Sequence, residues 1–89
     1  MSLAKNEITM ATEIYKSTND LRQYKDTMRD YILDRGQALI VDIGYALREM
    51  KTNLPWGEFN AWTERELGID RRTATNYMAA YTLTLDQPD

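Results

Sequence analysis

From Leu21 to Leu54 the apolar side chains return at helical spacing: Leu21, Tyr24, Met28 and Ile32, then Leu39, Ile43, Leu47, Met50 and Leu54. Steps of three and four residues gather such a set on one face of an α-helix and scatter it over both faces of a strand. Nowhere do Val, Ile and Thr alternate with polar residues over a strand's length, and Asn-Gly and Asp-Gly hairpin signals are absent. The chain therefore reads as all-α.

Arg35-Gly36 falls at the one gap in the stripe. Either a single helix covers residues 20–53, or it breaks at Gly36 into two. A glycine inside a helix costs only about 1 kcal/mol relative to alanine, so it forces no break, and the reading leans to the continuous helix. Such a helix is about 50 Å long, more than a domain of this size can cover by itself. The stripe then needs another surface, and the sequence predicts two: a short N-terminal helix and a second copy of the chain. Leu21, Tyr24, Met28, Ile32, Leu39 and Ile43 are the predicted dimerisation residues of a homodimer.

The flanks follow from local signals. Ile8, Ala11 and Tyr15 mark one face of a helix over about residues 4–16, and Ser17 with Asp20 resembles a weak capping box opening the next. Leu54-Pro55 stops the long helix, because the residue before proline is driven out of the α region. Trp56, Phe59, Trp62 and Leu67 share a face over about 56–67, and Gly68 supplies the left-handed stop. Asp70 is placed to cap a last helix reaching about Leu83, with Ala74, Tyr77, Met78 and Tyr81 inward. Trp56, Phe59, Trp62, Tyr77 and Tyr81 all follow Leu54, which predicts a packed nucleus in the C-terminal third. The organisation expected is one domain over 1–89: a helical dimerisation region 1–54, a helix-turn-helix unit 55–83 and a frayed tail 84–89.

Composition closes off several chemistries. With 89 residues the core is thin. Neither Cys nor His is present. That removes disulfides, thiolate metal sites, the commonest general base and the commonest transition-metal ligand. Glu58, Glu64 and Glu66 have no nucleophilic or basic partner near in sequence and read as a solvated face, with Glu58 complementing a helix dipole. No catalytic residue, metal site, cofactor or small-molecule substrate is expected, nor a membrane span or signal peptide, and the compartment implied is the cytoplasm.

The stretch from Asn60 to Ala80 carries the functional argument. Two helices joined by a Gly-containing turn of about three residues, with Leu67, Ile69, Ala74 and Tyr77 apolar, meet the requirements of a helix-turn-helix. Glu64 departs from the small residue usual near the crossing. Arg71, Arg72, Thr75 and Asn76 then lie outward at the start of the second helix, with Ala79 a turn on. Arginine pairs bidentately with guanine, asparagine with adenine, and threonine bonds an edge or touches a thymine methyl. Thr73 is a candidate for a phosphate or backbone bond; Arg71, Arg65 and Lys51 are candidates for phosphates. The exposed N–H groups at the helix start also suit a phosphate. The plain rival is that Asp70-Arg71-Arg72-Thr73 is only a capped, solvated helix start. Charge weighs against nucleic acid and toward a protein partner: residues 55–89 hold six acidic against three basic side chains, and residues 1–54 hold eight of each.

Ile43-Gly44, Leu47, Lys51, Leu54-Pro55, Gly57-Glu58-Phe59 and Trp62, followed by Leu67-Gly68, Arg72-Thr73-Ala74 and Tyr77-Met78, form a pattern over about residues 40–81. It resembles an uncharacterised family of small phage- and plasmid-associated proteins. The resemblance implies a helix-turn-helix and a role in transcription, replication or partition of a mobile element, with Arg72, Thr73 and Asn76 opening the recognition helix. Residues 1–39 lie outside it. The expectation is thus a DNA-binding homodimer reading half-sites about 34–36 Å apart on double-stranded DNA. The alternative is a protein-interaction module of the same fold that binds a host or phage protein.

Overall fold

The computed structural model describes residues 3–34, 40–55 and 57–85, and within them the chain is helical with no strand. Helix α1 spans Leu3–Thr18, α2 Leu21–Asp34, α3 Ile40–Asn53, α4 Glu58–Trp62 and α5 Arg71–Leu85; α4 runs on into a π-helical turn, Thr63–Leu67. Trp56, Leu39, the Arg35-Gly36 gap and the tail from Asp86 lie outside the described residues.

The continuous helix toward which the stripe leans is not formed. The Asn53 side-chain amide donates to the Tyr24 hydroxyl at 3.1 Å, although 29 residues separate them. In one straight helix those positions stand about 43 Å apart, so the chain reverses between α2 and α3. Spacing alone does not reveal this, because a reversal between two amphipathic helices leaves the period on each side intact.

The reversal changes what the stripe is for. Tyr24, Met28 and Ile32 are 2%, 0% and 7% exposed within a single chain, and Leu21 and Ile43 pack against the same core. Tyr24, Met28 and Ile32, predicted to face a second copy, therefore face α1 and α3 of their own chain and offer no dimer surface. Nor do the C-terminal aromatics make a separate nucleus: Phe59 and Trp62 belong to one cluster with Ile8, Met28, Leu47 and Met50.

Polar links tie the first three helices together. Thr12 donates to the Ile8 carbonyl at 3.1 Å, and the Thr12 and Tyr24 hydroxyl oxygens are 3.1 Å apart. A hydroxyl has one proton, so with Thr12 committed to Ile8 the Tyr24 proton goes to Thr12. The relay runs from Asn53 on α3 through Tyr24 on α2 to Thr12 on α1. Tyr15 stacks on Tyr24 with ring centroids 4.6 Å apart, and Thr9 meets the Tyr45 hydroxyl at 3.1 Å.

The links between helices use local chemistry. Asn19 takes the left-handed conformation, φ 58°, and its N–H closes α1 on the Tyr15 carbonyl. Asparagine tolerates that region better than most residues. Asp20, rather than Ser17, then caps α2 by accepting the Gln23 N–H at 3.0 Å. Gly68, φ 66°, ends the π turn as expected, with its N–H on the Thr63 carbonyl. The spacing predicts a plain helix through Leu67, and the π turn departs from it. It carries the fully buried Thr63 into the core, where its hydroxyl bonds the Asn60 carbonyl at 2.9 Å.

Candidate nucleic-acid interface

Helix α5 packs chiefly against α3, and Gly44 is where they meet. A Cβ at position 44 would overlap the Tyr77 carbonyl oxygen and lie 2.8 Å from its carbon and 3.0 Å from the Tyr81 Cβ. The backbones touch there because no side chain stands between them. Ala74 and Tyr81 of α5 are buried, and Tyr77 and Met78 partly so.

That packing fixes the outward edge of α5. Arg71, Arg72, Thr75, Asn76 and Ala79 are all exposed. Arg72, Asn76 and Ala79 follow at steps of four and three, so they form one row, and Arg71 and Thr75 form a second beside it. Two other predicted residues are differently engaged. Thr73 is half-buried and gives its N–H to the Asp70 carboxylate at 2.7 Å. This bond, with one from the Thr73 side chain, holds the Asp70 carboxyl below its usual pKa. Asp70 therefore already fills the anion position at the start of α5, where the sequence suggested a phosphate. Arg65 lies on the π turn with its Nε 3.3 Å from the Glu66 carboxylate.

The acidic balance of the C-terminal third is redistributed by α2. Lys25 reaches Glu58 at 2.8 Å, and Arg29 reaches Glu66 at 3.2 Å. The Arg29 hydrogen bond, helped by Arg65, depresses the Glu66 carboxyl below the usual range. Two of the carboxylates that weigh against an anionic partner thus contact cations on a different helix, Lys25 serving Glu58 and Arg29 being shared by Glu66 with Asp30 at 3.0 Å and Asp26 at 3.5 Å. Glu64, the departure from the usual small residue, is exposed and so does not obstruct a helix crossing.

Beside the edge, α3 contributes cations of its own. A groove of about 680 Å³ between α3 and α5 is lined by Arg48, Lys51, Met78, Ala79 and Leu83 among others, with no acidic side chain. A second depression of about 470 Å³ shares Lys51, Thr75 and Met78 with it and adds Arg71 and Asn60. Arg48 lies over the Tyr81 ring, 5.8 Å from its centroid, and donates to Thr82 at 3.3 Å. Sequence reasoning passed over Arg48; its spacing of three from Lys51 was the available signal, but nothing in the sequence placed that face next to α5. Among the described residues no group of three or more His, Cys, Asp or Glu could hold a metal, and no helix is long and apolar enough to cross a membrane.

Fold and surface together define a small all-α protein in which one amphipathic helix, closed against α3, turns a basic and amide-bearing edge outward. A family model described as "Protein of unknown function (DUF3102)" matches residues 7–84, so the chain belongs to that family. The match takes in α2 and most of α1, from Glu7 onward, beyond the 40–81 stretch on which the sequence resemblance rests. No curated protein and no solved structure matches the chain.

Proposed function

We propose that the chain is a sequence-reading DNA-binding protein that places α5 in the major groove of a duplex. The observation that carries this reading is the composition of the outward edge. Arg71, Arg72, Thr75 and Asn76 stand exposed, Thr75 lines one groove with Lys51 and Arg48, Arg71 shares a second depression with Lys51, and Glu58 and Glu66 are bridged to Lys25 and Arg29 of α2. Asn76 and Arg72 read base edges; Arg71, Lys51 and Arg48 contact phosphates. The two helices joined through Gly68 to Asp70 act as a helix-turn-helix. A place in the transcription, replication or partition of a mobile element belongs to the same proposal, through the sequence resemblance.

Titration of a random duplex at low salt tests it. Neutralising about three phosphates gives a log–log salt slope of about −3, or binding weaker by about fortyfold between about 50 and about 200 mM salt. An affinity that does not change with salt, or no binding at the lower salt, overturns the reading.

A second reading is favoured by one observation, the predominantly apolar floor of the α3–α5 groove with Leu83 exposed in it. On that reading the chain is a protein-interaction module.

A further inference from the structure

Two exposed apolar faces of this chain complement each other. On α1, Met10 and Ile14 stand one turn apart and are 64% and 46% exposed. At helical spacing Glu13 flanks them and is exposed, so the convex outer face of α1 is an apolar strip with an acidic margin. The groove between α3 and α5 is the opposite: concave, floored by Met78, Ala79 and Leu83, and bordered by Arg48 and Lys51. Leu83 is 62% exposed. Single exposed apolar residues are ordinary. The convex strip is bordered by a carboxylate and the concave groove by cations, so the two faces are complementary in shape and in charge. Within one chain they cannot meet, because α1 packs on α2 and α3 and lines no part of the groove.

We propose that the outer face of α1 in one copy docks into the α3–α5 groove of a second copy. The contact is head-to-tail: each copy offers its strip to one neighbour and its groove to another, so the association does not close at two by itself. A single helix in a groove falls at the small end of specific interfaces, which makes the association weak and dependent on concentration. The groove shares Thr75 and Ala79 with the outward edge of α5. If the DNA reading holds, a seated copy and a duplex exclude one another; the association itself does not depend on that reading.

The test is sedimentation of the full chain from about 10 µM to about 1 mM, the range in which a weak association of that kind is read. The average mass is expected to rise with concentration for the wild type and to stay monomeric for Met10→Glu and for Leu83→Glu. Both positions are exposed, and circular dichroism checks that the helices are kept. Mixing the two variants distinguishes the geometry. Met10→Glu retains its groove and Leu83→Glu retains its strip, so the mixture forms 1:1 pairs and nothing larger. A wild type that stays monomeric throughout overturns the proposal. So does a Leu83→Glu chain that still self-associates, which means strip on strip, or a Met10→Glu chain that does, which means groove on groove. Adding duplex to the associated wild type separates the two readings: dissolution supports both, and unchanged association with no bound duplex removes the DNA reading while leaving this contact standing.

Discussion

Gly44 and Tyr77 bring α3 and α5 into backbone contact: a Cβ on Gly44 would run into the Tyr77 carbonyl. Replacing glycine by alanine inside a helix ordinarily stabilises it by about 0.5–1 kcal/mol. Gly44→Ala is expected to do the reverse, because the obstacle is backbone and cannot rotate away. Overpacking of this kind costs about 1–3 kcal/mol, read as an earlier urea midpoint with an unchanged slope. A later midpoint would show that the two helices are not held at this spacing.

The Tyr24 hydroxyl links three helices. Tyr24→Phe removes its bonds to Thr12 and Asn53 while keeping the ring stacked on Tyr15, at an expected cost of about 1 kcal/mol in denaturant unfolding. Burial, the largest cause, raises the Tyr24 pKa above its usual value; the bonds to Thr12 and Asn53 oppose it. The unfolded chain then releases the Tyr24 proton before the folded one does. Stability is full below about pH 10 and declines as pH rises beyond it. The decline should be smaller in Tyr24→Phe, which an unfolding series across that range measures.

Asp70 caps α5 through Thr73, and its carboxyl lies below the usual value. The sign is opposite to that of Tyr24. The contribution is complete above about pH 4 and is lost as pH falls through the depressed folded value. Glu66 acts in the same direction. Asp70→Asn should therefore lower the melting midpoint at neutral pH and flatten its decline toward acid, leaving the part due to Glu66. An acid profile identical to the wild type's would show that the cap carries no charge-dependent stability.

On the duplex, Asn76→Ala and Arg71→Ala should differ in kind. Loss of a bidentate base contact costs about 1–3 kcal/mol and relaxes preference at one base pair, whereas loss of a phosphate contact weakens all sequences alike and lowers the salt slope by about one. Competition binding with single-base variants measures both. Equal losses on selected and random duplexes for both variants would remove the division of roles.

What the sequence made legible was local. Asp70 as a cap, Gly68 as a left-handed stop and the inward set Ala74, Tyr77, Met78 and Tyr81 each follow from interactions within a few residues. What it hid was tertiary. The period through Leu21–Leu54 is the same whether the helix continues or reverses, so it points Tyr24, Met28 and Ile32 at a partner copy although they belong to the chain's own core. The pairing of Glu58 and Glu66 with α2 was equally invisible, because Lys25 and Arg29 lie 33 and 37 residues away. Lys25 thus answers Glu58 from another helix, whereas Arg29 is divided among Glu66, Asp30 and Asp26. The π turn left no signal beyond Thr63, a polar residue in an inward position.

The shared core has a consequence for dissecting the molecule. Phe59 and Trp62 rest on side chains from α1, α2 and α3. Cutting before Pro55 would leave both rings in water and free the carboxylates that Lys25 and Arg29 hold. A fragment beginning there keeps Arg71, Arg72, Thr75, Asn76 and Ala79 yet loses Arg48, Lys51 and the helices against which α5 and the two rings are packed.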